Sequence, residues 1–513
     1  MKASFAKRIA RRKKALLSRL AKARRNRFVR GWDPTPVIGG NAMKYELADR
    51  TQAICHGGLA AMIKLADKCG LREAIDKRLN LLKVHAPYSE SDHVLTHTLN
   101  AMSGGTRLEH IELLRNNSAL LDAMGADSIP DPTTSGDFTR RFVEADVICL
   151  MDSIDEARLN VWRQQPPEFF AEEAVIDVDG VIVKTLGECK DGMDISYKKD
   201  WGYHPLLISF ANTQEVLVII NRPGSVHSAE GAAEYLNRAI MLCINAGFRK
   251  IRIRGDCKFS QTQYLDGWDA LGVTFTFGYD AKQNLKDMAE ELPADAWRTL
   301  DRPQPEREGS PRAKPVNVKR EVVRERGYMH LEQLSEEVAE FEYQPTACSK
   351  KYRMVVVRKN ISVEKGEQRL IDEIKYFFYI ANKPATFTSA DVVFSCNQRC
   401  NQENLISHLT SGVRSLCAPV DNLVSNWAYM VMTSIAWNLK AWSGLMLPVV
   451  PRHREKHQAE RTRILGMEFR TFLDQMIHIP CQIVRHARQT IFRLLNWTDM
   501  TPVLLRLSVS LNL

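Results

Sequence analysis

Val175-Ile176-Asp177-Val178-Asp179-Gly180-Val181-Ile182-Val183 sets two aspartates inside a run of β-branched residues. Such a run suits a buried strand far better than a helix or a loop. Leu206 to Phe210 and Glu215 to Asn221 read as two more strands, joined at Asn212-Thr213-Gln214. Ser228 to Ala246 reads as a helix whose apolar face is Tyr235, Leu236, Ile240 and Leu242. Lys250 to Gly255 is again a strand, Gln261 to Leu271 a helix and Val273 to Tyr279 a strand. Three strands, helix, strand, helix, strand is the order of an α/β domain on a mixed sheet.

The flanks have other characters. Residues 1–42 read as a basic tail and linker, the latter marked by Pro34, Pro36 and paired glycines. Residues 43–165 carry apolar stripes at helical spacing, such as Leu59, Met62, Ile63 and Ala66, and form a helical N-terminal domain suited to binding DNA. Within it, Thr133, Thr134 and Ser135 offer hydroxyl caps to a helix bearing Asp137, Arg140 and Arg141. Residues 166–283 are the first part of the α/β core. Residues 284–385 are a β-rich insertion with short strands at Tyr352 to Val357 and Lys375 to Ile380. Helices return in 386–445, the second part of the core, and 446–513 reads as a basic helical region.

Charge is concentrated at one end. The 513-residue chain has a formal charge of +10, yet residues 1–30 hold thirteen Lys or Arg, among them Lys13, Lys14, Arg24 and Arg25, and no acid. The rest of the chain is slightly acidic. A segment so dense in like charge repels itself in water and gains order on a polyanion, which points to nucleic acid. The composition, 44% hydrophobic and 26% charged, excludes collagen-like and disordered chains. The longest apolar region, Trp427 to Val450, is interrupted by Asn438, Lys440 and Pro448, so no membrane span is expected. Eleven cysteines at irregular spacing, with no CxxC pair, fit reduced thiols and a cytoplasmic location.

Acids stand in three places where chemistry could use them. Asp177 and Asp179 are two apart on a strand and share one side of the sheet. Asp256 directly follows the strand ending at Gly255, where open α/β sheets bind ligands. Glu403 lies four residues after Arg399, so both share a helical face. Singly, Asp179 could end a strand, Asp256 could cap a helix and Glu403 could pair with Arg399. Together, carboxylates from two strands and a helix can hold two divalent cations about 4 Å apart, and oxygen ligands favour Mg²⁺ or Mn²⁺.

Val175 to Gly180, Tyr203-His204-Pro205-Leu206, Arg254-Gly255-Asp256-Cys257-Lys258-Phe259 and Gln398-Arg399 to Glu403 together resemble bacterial insertion-sequence transposases of the Asp-Asp-Glu type. Within these, the chain is most similar to the group whose catalytic domain is interrupted by a β-rich insert. The resemblance extends over roughly residues 45–500, and the gaps of 77 and 147 residues between Asp179, Asp256 and Glu403 agree with it. It implies a ribonuclease H-like catalytic core, with a helical domain before it and C-terminal helices after it. It also implies a magnesium-dependent enzyme, with Mn²⁺ as a substitute, that cuts at the ends of its element and joins the freed 3′-hydroxyls to target DNA.

Asp179, Asp256 and Glu403 would be the catalytic metal ligands, holding two ions. The match leaves open which of Asp177 and Asp179 binds metal; the small residue Gly180 favours Asp179, with Asp177 set behind it. The family signature of Tyr, two residues, Arg, three residues, Glu, six residues, Lys is met at Arg399 and Glu403, but its ends fall on Cys396 and Thr410. Arg399 would touch a phosphate of the element's end. Lys13, Lys14, Arg24, Arg25, Arg140 and Arg141 would bind double-stranded DNA, the terminal inverted repeats and the target. Two ends must meet, so a homodimer is expected. Competing readings are a metal-dependent nuclease without strand transfer and a transposase-derived DNA-binding protein that has lost catalysis.

Overall fold

The computed structural model describes residues 52–302, 318–365, 368–384, 386–486 and 489–512, with single positions between 7 and 25. Arg24 lies outside the described residues. Nine strands form one sheet: β1 (Ala174–Gly180), β2 (Leu206–Phe210), β3 (Glu215–Ile220), β4 (Ile251–Gly255), β5 (Thr274–Tyr279), β6 (Arg298–Thr299), β7 (Met329–Tyr343), β8 (Tyr352–Lys365) and β9 (Gln368–Ala381). Their order across the sheet is β6-β7-β8-β9-β5-β4-β1-β2-β3. β1, β4 and β5 run parallel, while β2 is antiparallel to both β1 and β3. Every residue of β2 and β3 is buried, as expected of strands with apolar side chains on both faces.

The insertion does not fold apart from this sheet. β9 pairs antiparallel with β5, from Phe378 opposite Tyr279 to Ala381 opposite Thr276, so β7, β8 and β9 extend the sheet outward. Its strands are longer than the sequence suggested. β7 escapes a hydrophobic scan because Glu332, Glu336, Glu337, Glu340 and Glu342 break its apolar pattern. Arg302, Arg358 and Arg353 pair with Glu336, Glu337 and Glu340, which makes those acids compatible with a strand.

The helices that flank the core include α1 (Ala232–Ala246), α2 (Ser389–Asn397), α3 (Cys400–Ser407) and α4 (Leu423–Leu445). α1 packs on β1 to β4, α2 on β5 and the insertion strands, and α3 on β1. The N-terminal helices, including Glu90–Met102 and Glu144–Trp162, pack against α4, and one buried hydrophobic core runs from Ile54 to Leu511. Helix Pro132–Thr139 is capped by the Asp131 carboxylate, which accepts from the Thr134 N–H at 2.9 Å; the expected hydroxyl caps lie inside the helix. Asp131 wins because Pro132 suits the first helical position.

Contrary to the expectation from the sequence, the region 446–513 is not helical throughout. It holds helices Arg454–Leu465 and Thr501–Ser510, but also a hairpin of Cys481–His486 and Gln489–Leu494 that pairs with Gln52–Ile54. Its basic residues read as a helical face in the sequence, while the alternation of buried Cys481 and Ile483 with less buried Gln482 and Val484 is that of a strand.

α4 is buried along nearly its whole length. Among the described residues, no helix is long and apolar enough to cross a membrane. Glu215 ties α4 to its surroundings, accepting from Trp442 Nε1 at 2.6 Å, Trp162 Nε1 at 3.0 Å and Arg158 Nε at 3.2 Å. With the Thr213 hydroxyl, which donates to Oε2 at 2.5 Å, four donors satisfy this fully buried carboxylate.

Lys440, on the same helix, is also buried, donates to the Leu465 carbonyl at 2.8 Å and lies 3.9 Å from the centre of the Trp437 ring. Burial pushes its ammonium down to about 7. The unfolded chain therefore binds one more proton than the native one above that pH, so stability rises between about pH 7 and the ordinary lysine value. Lys440→Met is expected to remove that rise. The test is urea unfolding at about pH 6.5 and about pH 9, where the difference between wild type and variant should change by about 2 kcal/mol; parallel pH profiles would refute it.

Candidate active site

Asp179 and Asp256 stand at the C-terminal ends of the neighbouring parallel strands β1 and β4. Each is fixed by its own turn. The Gly180 N–H donates to Asp179 Oδ1 at 2.8 Å, and the Lys258 N–H donates to Asp256 Oδ1 at 2.8 Å. Gly180 is required by packing: a Cβ there would lie 2.6 Å from His204 Nε2.

Arg399, just before α3, donates from Nη1 to Asp179 Oδ2 at 2.6 Å, with both side chains 17% exposed. Burial pushes the Asp179 carboxyl above its ordinary value; Arg399 opposes this, and the neighbouring charge of Asp256 adds to it. Burial disfavours the charge of Arg399, but Asp179 and then Asp256 outweigh it and hold the guanidinium above its usual range. Two acids and one arginine thus form a coupled group.

Asp177, two residues earlier, is held differently. Its two oxygens accept from Arg254 Nε at 2.7 Å and Nη2 at 2.8 Å, and Arg254 Nη1 also reaches the Ser395 carbonyl of α2 at 3.0 Å. Arg254 sits opposite Asp177 in the parallel register, and both are buried. In the sequence Arg254 stands within a motif but without a visible role. Its signal was the pairing of one acidic and one basic residue at equivalent places on two apolar strands.

Glu403 lies on α3, one turn beyond Arg399. It is exposed and has no hydrogen-bond or ion-pair partner among the described residues. The structure therefore brings together Asp179, Asp256 and Arg399, but does not draw Glu403 into their contacts. Among the described residues, no three His, Cys, Asp or Glu side chains gather closely enough to hold a metal ion. The donors that do meet, Asp179 and Asp256, are hard oxygen ligands whose mutual repulsion a divalent cation would relieve, and they fit such an ion. Of the two signature departures, Cys396 is buried with its Sγ 3.8 Å from the Gly255 carbonyl, and Thr410 is exposed.

The predicted DNA contacts are scattered. Arg140 is engaged, with Nε at 3.1 Å from Asp421 and Nη1 at 2.7 Å from Asp137. Arg141 Nη1 reaches the Leu81 carbonyl at 3.4 Å. Lys13 is 4.4 Å from the centre of the Trp497 ring and 3.9 Å from Asp499, while Lys14 and Arg25 are exposed.

Fold and site define a mixed α/β protein with paired acids at the ends of neighbouring parallel strands. Residues 48–512 match the family model described as Transposase DDE domain group 1, and the chain belongs to that family of DNA-transposing enzymes. Such domains generally use divalent metal ions. None of the curated proteins matches the chain. Among solved structures it is similar to the piggyBac transposase synaptic complex with hairpin DNA, determined by cryo-EM. The identity is 11%, over 83% of this chain and 84% of that one, with a TM-score of 0.37.

Proposed function

We propose that this transposase binds the ends of an insertion sequence as a homodimer, cleaves them and joins the 3′-hydroxyl ends to target DNA. The observation that carries the proposal is the meeting of Asp179 and Asp256 at the ends of two parallel strands beside Arg399. The strand order β3-β2-β1-β4-β5, with β2 alone reversed against its neighbours β1 and β3, supports a ribonuclease H-like core.

Asp179, Asp256 and Glu403 would hold two Mg²⁺ or Mn²⁺ ions, which when bound polarise the phosphoryl group and activate the attacking oxygen. Asp179 is the better ligand than Asp177, because Asp177 is 1% exposed and clasped through both oxygens by one buried guanidinium, whereas Asp179 is 17% exposed at the strand end. Arg254 fixes β1 to β4 and so sets the spacing of the acids that follow on each strand. Arg399 holds Asp179 in place, and its remaining N–H groups suit a phosphate of the DNA end. Glu403, one turn further along the same helix, would have to approach the two aspartates on DNA binding to complete this set.

The test is an end-cleavage and joining assay with the full chain, Mg²⁺ and a duplex carrying the element's end, read from inverted repeats flanking the gene. Cut ends and joined products are expected. Cutting without joining would make the protein a nuclease, and binding without cutting would make it the catalytically lost form that Cys396 and Thr410 suggest. The basic tail is expected to add phosphate contacts. Deleting residues 2–30 should flatten the dependence of log affinity on log salt by about 0.9 for each phosphate that the tail neutralises, and an unchanged slope would assign the tail another role.

A further inference from the structure

Beside Asp256 lies a cavity of about 260 Å³, walled by Lys258, Gln261, Tyr279, Asp280, Lys282 and His227. It opens beyond the C-terminal ends of β4 and β5, where the turn after β4 lies close to Gly278: a Cβ there would lie 2.9 Å from the Cys257 nitrogen. The cavity is smaller than the roughly 300–1,000 Å³ typical of small-molecule sites, and its lining is mainly polar.

Two lysines face one acid in it. Lys258 Nζ is 3.3 and 3.4 Å from the Asp280 oxygens, a long pair between half-exposed groups that holds the ammonium loosely. Lys282 has no acidic partner within ion-pair distance among the described residues, and its Nζ stands 5.8 Å from the centre of the Tyr279 ring. Gln261 Oε1 is enclosed and has no hydrogen-bond partner in the structure. An enclosed amide oxygen without a partner is a group that a ligand's donor would satisfy.

We propose that this cavity is the seat of one nucleotide of the DNA strand next to the scissile phosphate. Lys258 and Lys282 take its backbone phosphate, and the Gln261 amide takes a donor of the same nucleotide. The inference rests on the transposase reading and deepens it, because it places the strand on the β5 side of Asp256 and gives two residues that fix its register. Lys258 and Lys282 act as positioning residues. The lysine after Asp256-Cys257 then has a reason for its place: the turn that points its N–H at Asp256 also turns its side chain into the cavity.

The experiment uses the full chain and the end duplex, with single neutral methylphosphonate linkages placed in turn along each strand. In wild type, one linkage beside the cleavage position should weaken binding. In Lys258→Gln/Lys282→Gln that linkage should become indifferent, and the slope of log affinity against log salt should fall by about 2, near 1 per lysine. The double arginine variant, which keeps both charges, should restore the slope and guards against loss of folding. An unchanged linkage profile and slope in the glutamine variant would overturn the subsite. Wild-type cleavage of the same duplex in Mg²⁺ separates the two claims: cutting with an unchanged profile removes the subsite alone, whereas no cutting removes the transposase reading.

Discussion

Asp179→Asn and Asp256→Asn are each expected to reduce end cleavage on the order of 10³-fold or more while leaving DNA binding and thermal stability intact. Asparagine keeps the shape of the side chain and an oxygen for the Gly180 or Lys258 N–H, so each turn is preserved. What is lost is one negative charge, which at Asp179 burial and a like neighbour already oppose. The melting temperature of Asp179→Asn should therefore stay level or rise, because burial and Asp256 together outweigh the attraction of Arg399 for that charge. Activity and stability moving apart would mark a functional site rather than a structural ion pair. Cleavage at the wild-type rate by either variant would show that the acids are misassigned.

Asp177 should behave in the opposite manner. Asp177→Leu leaves the Arg254 guanidinium buried without its carboxylate, and is expected to destabilise the fold by about 3–5 kcal/mol. Arg254→Met leaves the carboxylate stranded at a similar cost. The double variant Asp177→Leu/Arg254→Met removes both charges and should recover most of the loss, giving a large coupling in a double-mutant cycle followed by chemical denaturation. Additive losses would mean that the two residues do not act as a pair. A pair at neighbouring strands, one layer beneath Asp179 and Asp256, is well placed to fix the lateral spacing of those acids.

The core was legible because its strands are apolar on both faces and short. β1 to β5 follow the β-branched runs within a few residues, and the helix expected from Ser228 starts only slightly later, at Ala232. β7 and the hairpin Cys481–Leu494 were not legible, for a shared reason. Neither shows a clean apolar alternation, β7 because its outward residues are largely acidic and the hairpin because polar, charged and apolar residues mix on its exposed side, and what makes them strands is pairing, with β8 and with Gln52–Ile54. No local pattern carries that information.

The site was legible in part. The expected set was Asp179, Asp256 and Glu403; of these Asp179 and Asp256 lie side by side, because strand ends in a parallel sheet are fixed by topology, while Arg399, expected at a phosphate of the DNA end, pairs with Asp179. The partner of Asp177 was hidden, since it depends on the register of β1 against β4. The isolation of Glu403 was also hidden, since the approach of a helix to a sheet is set by packing that a motif does not encode.

The hydrogen-bonded seam between β9 and β5 has a mechanical consequence. At about 3.3 Å per residue, the 14 residues of β8 make an arm roughly 45 Å long. The arm is not hinged: to swing independently it must break the pairs from Phe378 and Tyr279 to Ala381 and Thr276. A force applied at its tip is therefore carried as shear into β5, which lies beside the strand that leads into Asp256.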